Sequence, residues 1–171
     1  MTKQLLLLRH AKSSWGDPSL ADIDRPLSTR GEKAARRIGH HLAEAGLAPD
    51  LVLCSPSRRT RDTLELVQQH AGVTLRTVIE PGLYLAEPQA VLRLVRAVED
   101  KVGRLMLVGH DPGLPGLAVA LTRGQRDALT ERLAAKFPTG ALAVLGCDIE
   151  KWRGLKPGAC RLEAFVVPKE L

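Results

Sequence analysis

Three apolar runs stand out along the chain because they do not alternate with polar residues: Leu5–Leu8, Leu51–Cys54 and Leu105–Val108. A strand with one wet face alternates, so an unbroken run predicts a strand covered on both faces, as in a parallel sheet flanked by helices. Leu75–Ile79 is a weaker fourth candidate. Between the runs the period becomes helical. Ala34, Ala35, Ile38, Leu42 and Ala45 keep one stripe behind a capping box of Thr29 and Glu32, and Gly46 supplies the stop. Ser55 before Pro56 predicts the cap of a second helix that runs to about His70 and closes at Gly72. A third begins near Pro88 and carries Val91, Leu92, Leu94, Val95 and Val98, and Asp111–Pro112 repeats the cap-plus-proline signature before Leu114–Leu121. Strands alternating with helices predict an α/β three-layer sandwich with a mostly parallel central sheet and helices on both faces. Ala141–Cys147 and Cys160–Val167 predict two more strands joined by a loop at a sheet edge. With no repeat, linker or low-complexity tract, residues 1–171 are expected to form a single domain.

Composition narrows the function. Lys and Arg number 25 against 19 Asp and Glu, a net charge of +6, which favours an acidic partner or a phosphorylated substrate. Nucleic acid is disfavoured: aromatics are 3% of the chain, and no basic run is interleaved with rings for stacking on bases. Cys54, Cys147 and Cys160 contain no CxxC pair and leave one odd thiol in any disulfide scheme, which suits a reducing compartment. No stretch approaches the ~20 apolar residues of a membrane span, and no leader pattern is visible, so the expected location is cytoplasmic with no membrane partner.

The candidate chemistry lies where the strands end. In an open α/β sheet, ligands sit outside the carboxyl ends of the parallel strands. Arg9 and His10 end the first run, Ser55 follows the second, and His110 ends the fourth, so all face one rim. Arg59 and Thr63 share one face near the start of the helix after Ser55, where free N–H groups already favour an anion. Two arginines and two imidazoles around one point would hold a tetrahedral oxyanion such as phosphate by planar forks. Crowded by cations, a histidine there stays neutral and nucleophilic, and no metal or other cofactor is required. By contrast, His40, His41 and His70 match no metal-ligand spacing and read as structural. Arg58 and Arg61 read as a solvated helix face, Asp22 and Asp24 as turn or cap residues, and Trp15 and Trp152 as ordinary semi-exposed aromatics.

The ordered stretches "LLRHAKSSW", "SPSRRTRDT" and "LVGHDPG" resemble the histidine phosphatase superfamily, which includes the cofactor-dependent phosphoglycerate mutases. The short chain, "AKSSW" and "DRPLSTRG" at Asp24–Gly31 are most similar to the small SixA-type phosphohistidine phosphatases. The resemblance implies a phosphoglycerate mutase-like fold, His10 as a transiently phosphorylated nucleophile, Arg9 and Arg59 as phosphate ligands and His110 as the second pocket histidine. It also places Ser13 where relatives line the phosphate site. The chain departs from larger relatives at Ala11 and Gly16, and Leu85 stands where they carry an acidic glutamate, leaving Glu80, Glu87 and Asp111 as substitutes. A phosphoimidazole leaving group depends less on a strong acid than an alkoxide does. The expected activity is therefore hydrolysis of phosphohistidine on a partner protein, with phosphate held in the site. The alternatives are a phosphomonoesterase acting on a small phosphoester and a phosphoprotein-binding module without turnover.

Overall fold

In the computed structural model, which describes residues 2–171, six strands form one sheet in the order β3-β2-β4-β1-β5-β6. β1 (Lys3–Arg9), β2 (Leu51–Cys54), β3 (Thr77–Ile79) and β4 (Arg104–Gly109) run parallel, while β5 (Leu142–Cys147) and β6 (Cys160–Val166) are antiparallel to their neighbours. Five helices complete the α/β sandwich: α1 (Thr29–Ala45), α2 (Arg58–Ala71), α3 (Pro88–Arg96), α4 (Gly113–Leu121) and α5 (Ala128–Ala135). The unbroken apolar runs are explained by two cores. Leu5, Leu7, Leu105 and Leu107 face α3, α4 and α5, while Leu6, Leu8, Met106 and Val108 face α1 and α2. With side chains alternating between faces, only a run apolar at every position fills both layers. β4 lies between β2 and β1, which brings Ser55, His110, Arg9 and His10 to adjacent strand ends.

Several local expectations are corrected. The α1 cap is Ser28, not Thr29; its hydroxyl accepts from the Gly31 N–H. The α2 cap is Ser57, not Ser55, with its hydroxyl accepting from Thr60. Asp111 does not cap α4, which opens after a cis Asp111–Pro112 bond with no side-chain cap. The third strand is only Thr77–Ile79 and is exposed at the sheet edge. α5 went unread because its apolar stripe is short; Asp127 and Thr130 close a reciprocal capping box that marks its start. Gly46 and Gly72 do end their helices with left-handed backbone, at φ 64° and 68°. Trp152 is fully buried rather than semi-exposed, its ring N–H donating to the Val102 carbonyl. Cys147 and Cys160 stand opposite one another on β5 and β6 and are joined as a disulfide. Cys54 is the free, buried thiol, pushed up to about 12 by burial. Among the described residues no helix is long and apolar enough to cross a membrane.

Candidate active site

Arg9, His10, Arg59 and His110 converge at the rim, as expected. The imidazoles of His10 and His110 lie with centroids 5.4 Å apart, and both are buried with Arg59. Backbone bonds hold His10 from two sides: its N–H donates to Gly109 on β4, and the Gly140 N–H donates to the Arg9 and His10 carbonyls. Thr63 on α2 accepts from the Ala11 N–H at 3.0 Å and donates to the Arg59 carbonyl at 2.6 Å, locking the turn after β1 to the helix carrying Arg59.

The tautomer of His10 follows from its partner. Nδ1 lies 2.7 Å from the Ala11 carbonyl, which can only accept, so Nδ1 carries the proton and Nε2 keeps its lone pair. On His110, Nδ1 faces an Arg59 Nη2 donor at 3.4 Å, so Nε2 carries the proton and donates to Ser55 Oγ at 2.8 Å. Burial first, then the charges of Arg59 and Arg9, holds His10 down at about 4. Burial, His10 and Arg59 hold His110 down at about 3. Both rings are therefore neutral at physiological pH.

The arginines are tethered through their terminal nitrogens, which leaves Nε–H unpartnered in both. Arg9 Nη1 donates to the Phe137 carbonyl at 2.7 Å. Arg59 Nη1 donates to the Asp22 carbonyl at 2.8 Å, and its Nη2 to the Asp22 carboxylate at 3.1 Å. In both residues Nε–H is buried and has no partner among the described residues. Buried donors are costly unless satisfied. On Arg9 the side-on edge formed by Nε and Nη2 is the fork that fits two oxygens of a tetrahedral oxyanion, while on Arg59, whose Nη2 is engaged by Asp22 and His110, Nε–H is the donor left over. Burial and the nearby Arg59 charge lower the affinity of Arg9 for its proton, partly offset by Asp111, and a dianion would relieve that strain.

Asp22, expected in a turn or cap, is the carboxylate that reaches this cluster. It pairs with Arg59 and with Arg25, and accepts from the Tyr84 hydroxyl at 2.5 Å. The Tyr84 bond first, helped by the two arginines, pulls its pKa down to about 2. Tyr84 packs edge-on to His110 with centroids 5.5 Å apart, and burial and Asp22 raise its phenol. The Ser13 hydroxyl accepts from Arg25 Nη1 at 2.7 Å, and Arg25 in turn pairs with Asp22. Of the acid candidates, Glu80 caps a short turn by accepting from Gly82 and Glu87 precedes α3. Asp111 lines the cleft beside Arg9. None of the three hydrogen-bonds to either imidazole, and Leu85 presents an apolar side chain that is 49% exposed. Arg58 and Arg61 are exposed, as read, and His40 and His70 pack on one another between α1 and α2.

Residues 5–84 match the profile of the histidine phosphatase superfamily (branch 1). The uncharacterized protein Rv1276c of Mycobacterium tuberculosis is 38% identical over 95% of this chain and its own full length. Among solved structures, the SixA protein of Agrobacterium tumefaciens is 30% identical, with a TM-score of 0.81 over 97% of this chain and 98% of that one. The SixA protein of Nakamurella multipartitia is 28% identical, with a TM-score of 0.86 over 98% and 97%. The Arg-His strand end, the arginine of α2 and the late histidine thus sit in a shared fold, and the chain belongs to the histidine phosphatase superfamily with a SixA-like architecture.

Proposed function

We propose that the protein removes phosphate from phosphohistidine on a partner protein through a covalent intermediate on His10. The observation that carries this is the His10 tautomer: an unprotonated, unpartnered Nε2 stands in a cluster that offers two unpartnered guanidinium Nε–H donors. In the first step the Nε2 lone pair forms a bond to phosphorus as the bond from phosphorus to the substrate imidazole breaks. The electron pair returns to that nitrogen. The form that reacts is the one whose other ring nitrogen has taken up a proton from water, so that a neutral imidazole departs and no carboxylic acid is needed. Arg9 and Arg59 stabilise charge on the equatorial oxygens, and His110, between Ser55 and Arg59, positions the Arg59 guanidinium. In the second step a water oxygen attacks phosphorus, its proton passes to the phosphate, and His10 recovers its lone pair. No step in this reading draws on a metal.

The protein substrate is supported by the relatives: both SixA proteins are named as candidate phosphohistidine phosphatases. Leu85 in place of an acid favours a nitrogen leaving group over an alkoxide. Rates on a phosphohistidine protein beside a panel of sugar and nucleotide phosphomonoesters test the substrate class. The expected result is a kcat/KM at least ~100-fold higher on phosphohistidine, a gap of about 3 kcal/mol in barrier. Higher rates on a phosphomonoester would overturn it, and phosphate-dependent binding without release would mark a binding module instead.

A further inference from the structure

The net charge of this protein is gathered in one place. A cavity of about 700 Å³ lies between α1, the end of α5 and the C-terminal turn. Along α1 it is walled by Arg30, Lys33 and Arg37, and opposite them by Arg132, Lys136 and Lys169. Lys12 joins the two walls, two residues after His10. Of the 25 Lys and Arg residues seven are here, and of the 19 Asp and Glu only Glu170 is; outside the cavity 18 cationic and 18 anionic residues cancel. Glu170 pairs with Arg132 at 2.6 Å. The other six cations have no carboxylate within 4.0 Å among the described residues, whereas Arg36 and Arg58 on exposed helix faces do pair.

Position links the cavity to the catalytic rim. Leu8 on β1 pairs with Leu142, and Leu142 with Val166, so the C-terminal turn stands at the strand end that carries His10. Lys136 precedes Phe137, whose carbonyl tethers Arg9. The arrangement of charge selects the ligand. Convergent cations suit one phosphate, but Arg30, Lys33 and Arg37 are spaced along ~10 Å of one helix flank. Arg132, Lys136 and Lys169 add charge from α5 and the C-terminal turn, and the lining between includes apolar Ala34 and Pro138. Phe165, the aromatic lining the cavity, is packed against Phe137 and under Arg132, so no free ring is offered to a base.

We propose that this cavity docks an acidic helical segment of the phosphoprotein substrate, holding it beside the site while its phosphohistidine reaches His10. The proposal rests on the phosphoprotein reading above. Acidic residues at i, i+3 and i+7 of such a segment would match the row on α1.

Anisotropy of a labelled, unphosphorylated helical peptide with Glu at that spacing measures docking alone. The triple variant Arg30→Glu, Lys33→Glu, Arg37→Glu is expected to weaken binding at least ~10-fold at low salt. Lys151→Glu, Arg153→Glu, Lys156→Glu makes the same charge change on the exposed β5–β6 loop, at the opposite end of β1, and is expected to leave affinity within ~2-fold. Equal losses in both variants, no loss in the first, or equal affinity for a single-stranded oligonucleotide would overturn the proposal. Should the charge reversal fail to fold, Arg30→Gln, Lys33→Gln, Arg37→Gln carries the same comparison. With the same peptide extended by a phosphohistidine, the α1 variant should raise KM at least ~10-fold and leave turnover of free phosphohistidine unchanged. If the unaltered protein turns over neither phosphohistidine compound, the functional reading fails, while the anisotropy comparison still decides whether the cavity docks acidic chains.

Discussion

Arg59 shows how much work one side chain is given when its atoms are divided among partners. Its end-on edge is held by Asp22, and its side-on edge is left with a buried, unpartnered Nε–H. A lysine has no second edge, so Arg59→Lys should lower kcat/KM on a phosphohistidine substrate by at least ~100-fold while the fold survives. Asp22→Asn keeps the backbone carbonyl contact but loses the charged one, and the expected loss is smaller, about 10-fold, read in the same assay. An unchanged rate in Asp22→Asn would remove Asp22 as the residue that positions Arg59. The four central residues were legible in the sequence because each follows directly from a strand end or a helix start. Asp22 and Tyr84 were not, because Asp22 lies 37 residues from Arg59 and 62 from Tyr84, and no periodicity records that approach.

At the scale of elements, the site depends on how closely α1 lies against the turn after β1. A Cβ at Gly31 would meet the Lys12 carbonyl oxygen at 2.1 Å, and one at Gly39, two turns along, would meet the Val67 carbonyl oxygen at 2.6 Å. Each clash is against backbone, so Gly31→Ala and Gly39→Ala should both destabilise by about 1–3 kcal/mol. That corresponds to a fall in Tm of roughly 2–4 °C per kcal/mol for a chain of this size. Only Gly31→Ala pushes the segment that holds His10, so it alone should also lower kcat, and a comparison of melting curves with single-turnover rates separates the two effects. The strands were read well because two-sided burial leaves an unbroken apolar signature. Caps were misplaced by a residue or two, since Ser28 and Thr29, or Ser55 and Ser57, carry the same capping chemistry and only packing chooses between them.

For the molecule as a whole, two buried neutral histidines make stability depend on pH. Their ordinary pKa near 6.5 in the unfolded chain falls to about 4 for His10 and about 3 for His110 in the folded one. Below pH 6.5 the unfolded chain therefore binds more protons, and folding stability drops as the pH falls toward 4. The full contribution of His10 alone is of order 3 kcal/mol. Urea unfolding between pH 7 and pH 4, in phosphate-free buffer, should show this decline, with His110→Gln giving a shallower slope. A flat profile would mean that the rings are not held neutral by burial. The excess positive charge was visible in the composition, but its concentration beside the active site required the folding together of α1, α5 and the C-terminal turn.

The covalent step on His10 unites these scales, and it is open to direct observation. The protein is incubated briefly with a substrate carrying a radiolabelled phosphoryl group, quenched in alkali, digested and mapped by mass spectrometry. The account predicts an alkali-stable, acid-labile label on the peptide containing His10, and neither label nor turnover in His10→Ala. Label on any other residue, or full turnover of a phosphohistidine protein by His10→Ala, would contradict it.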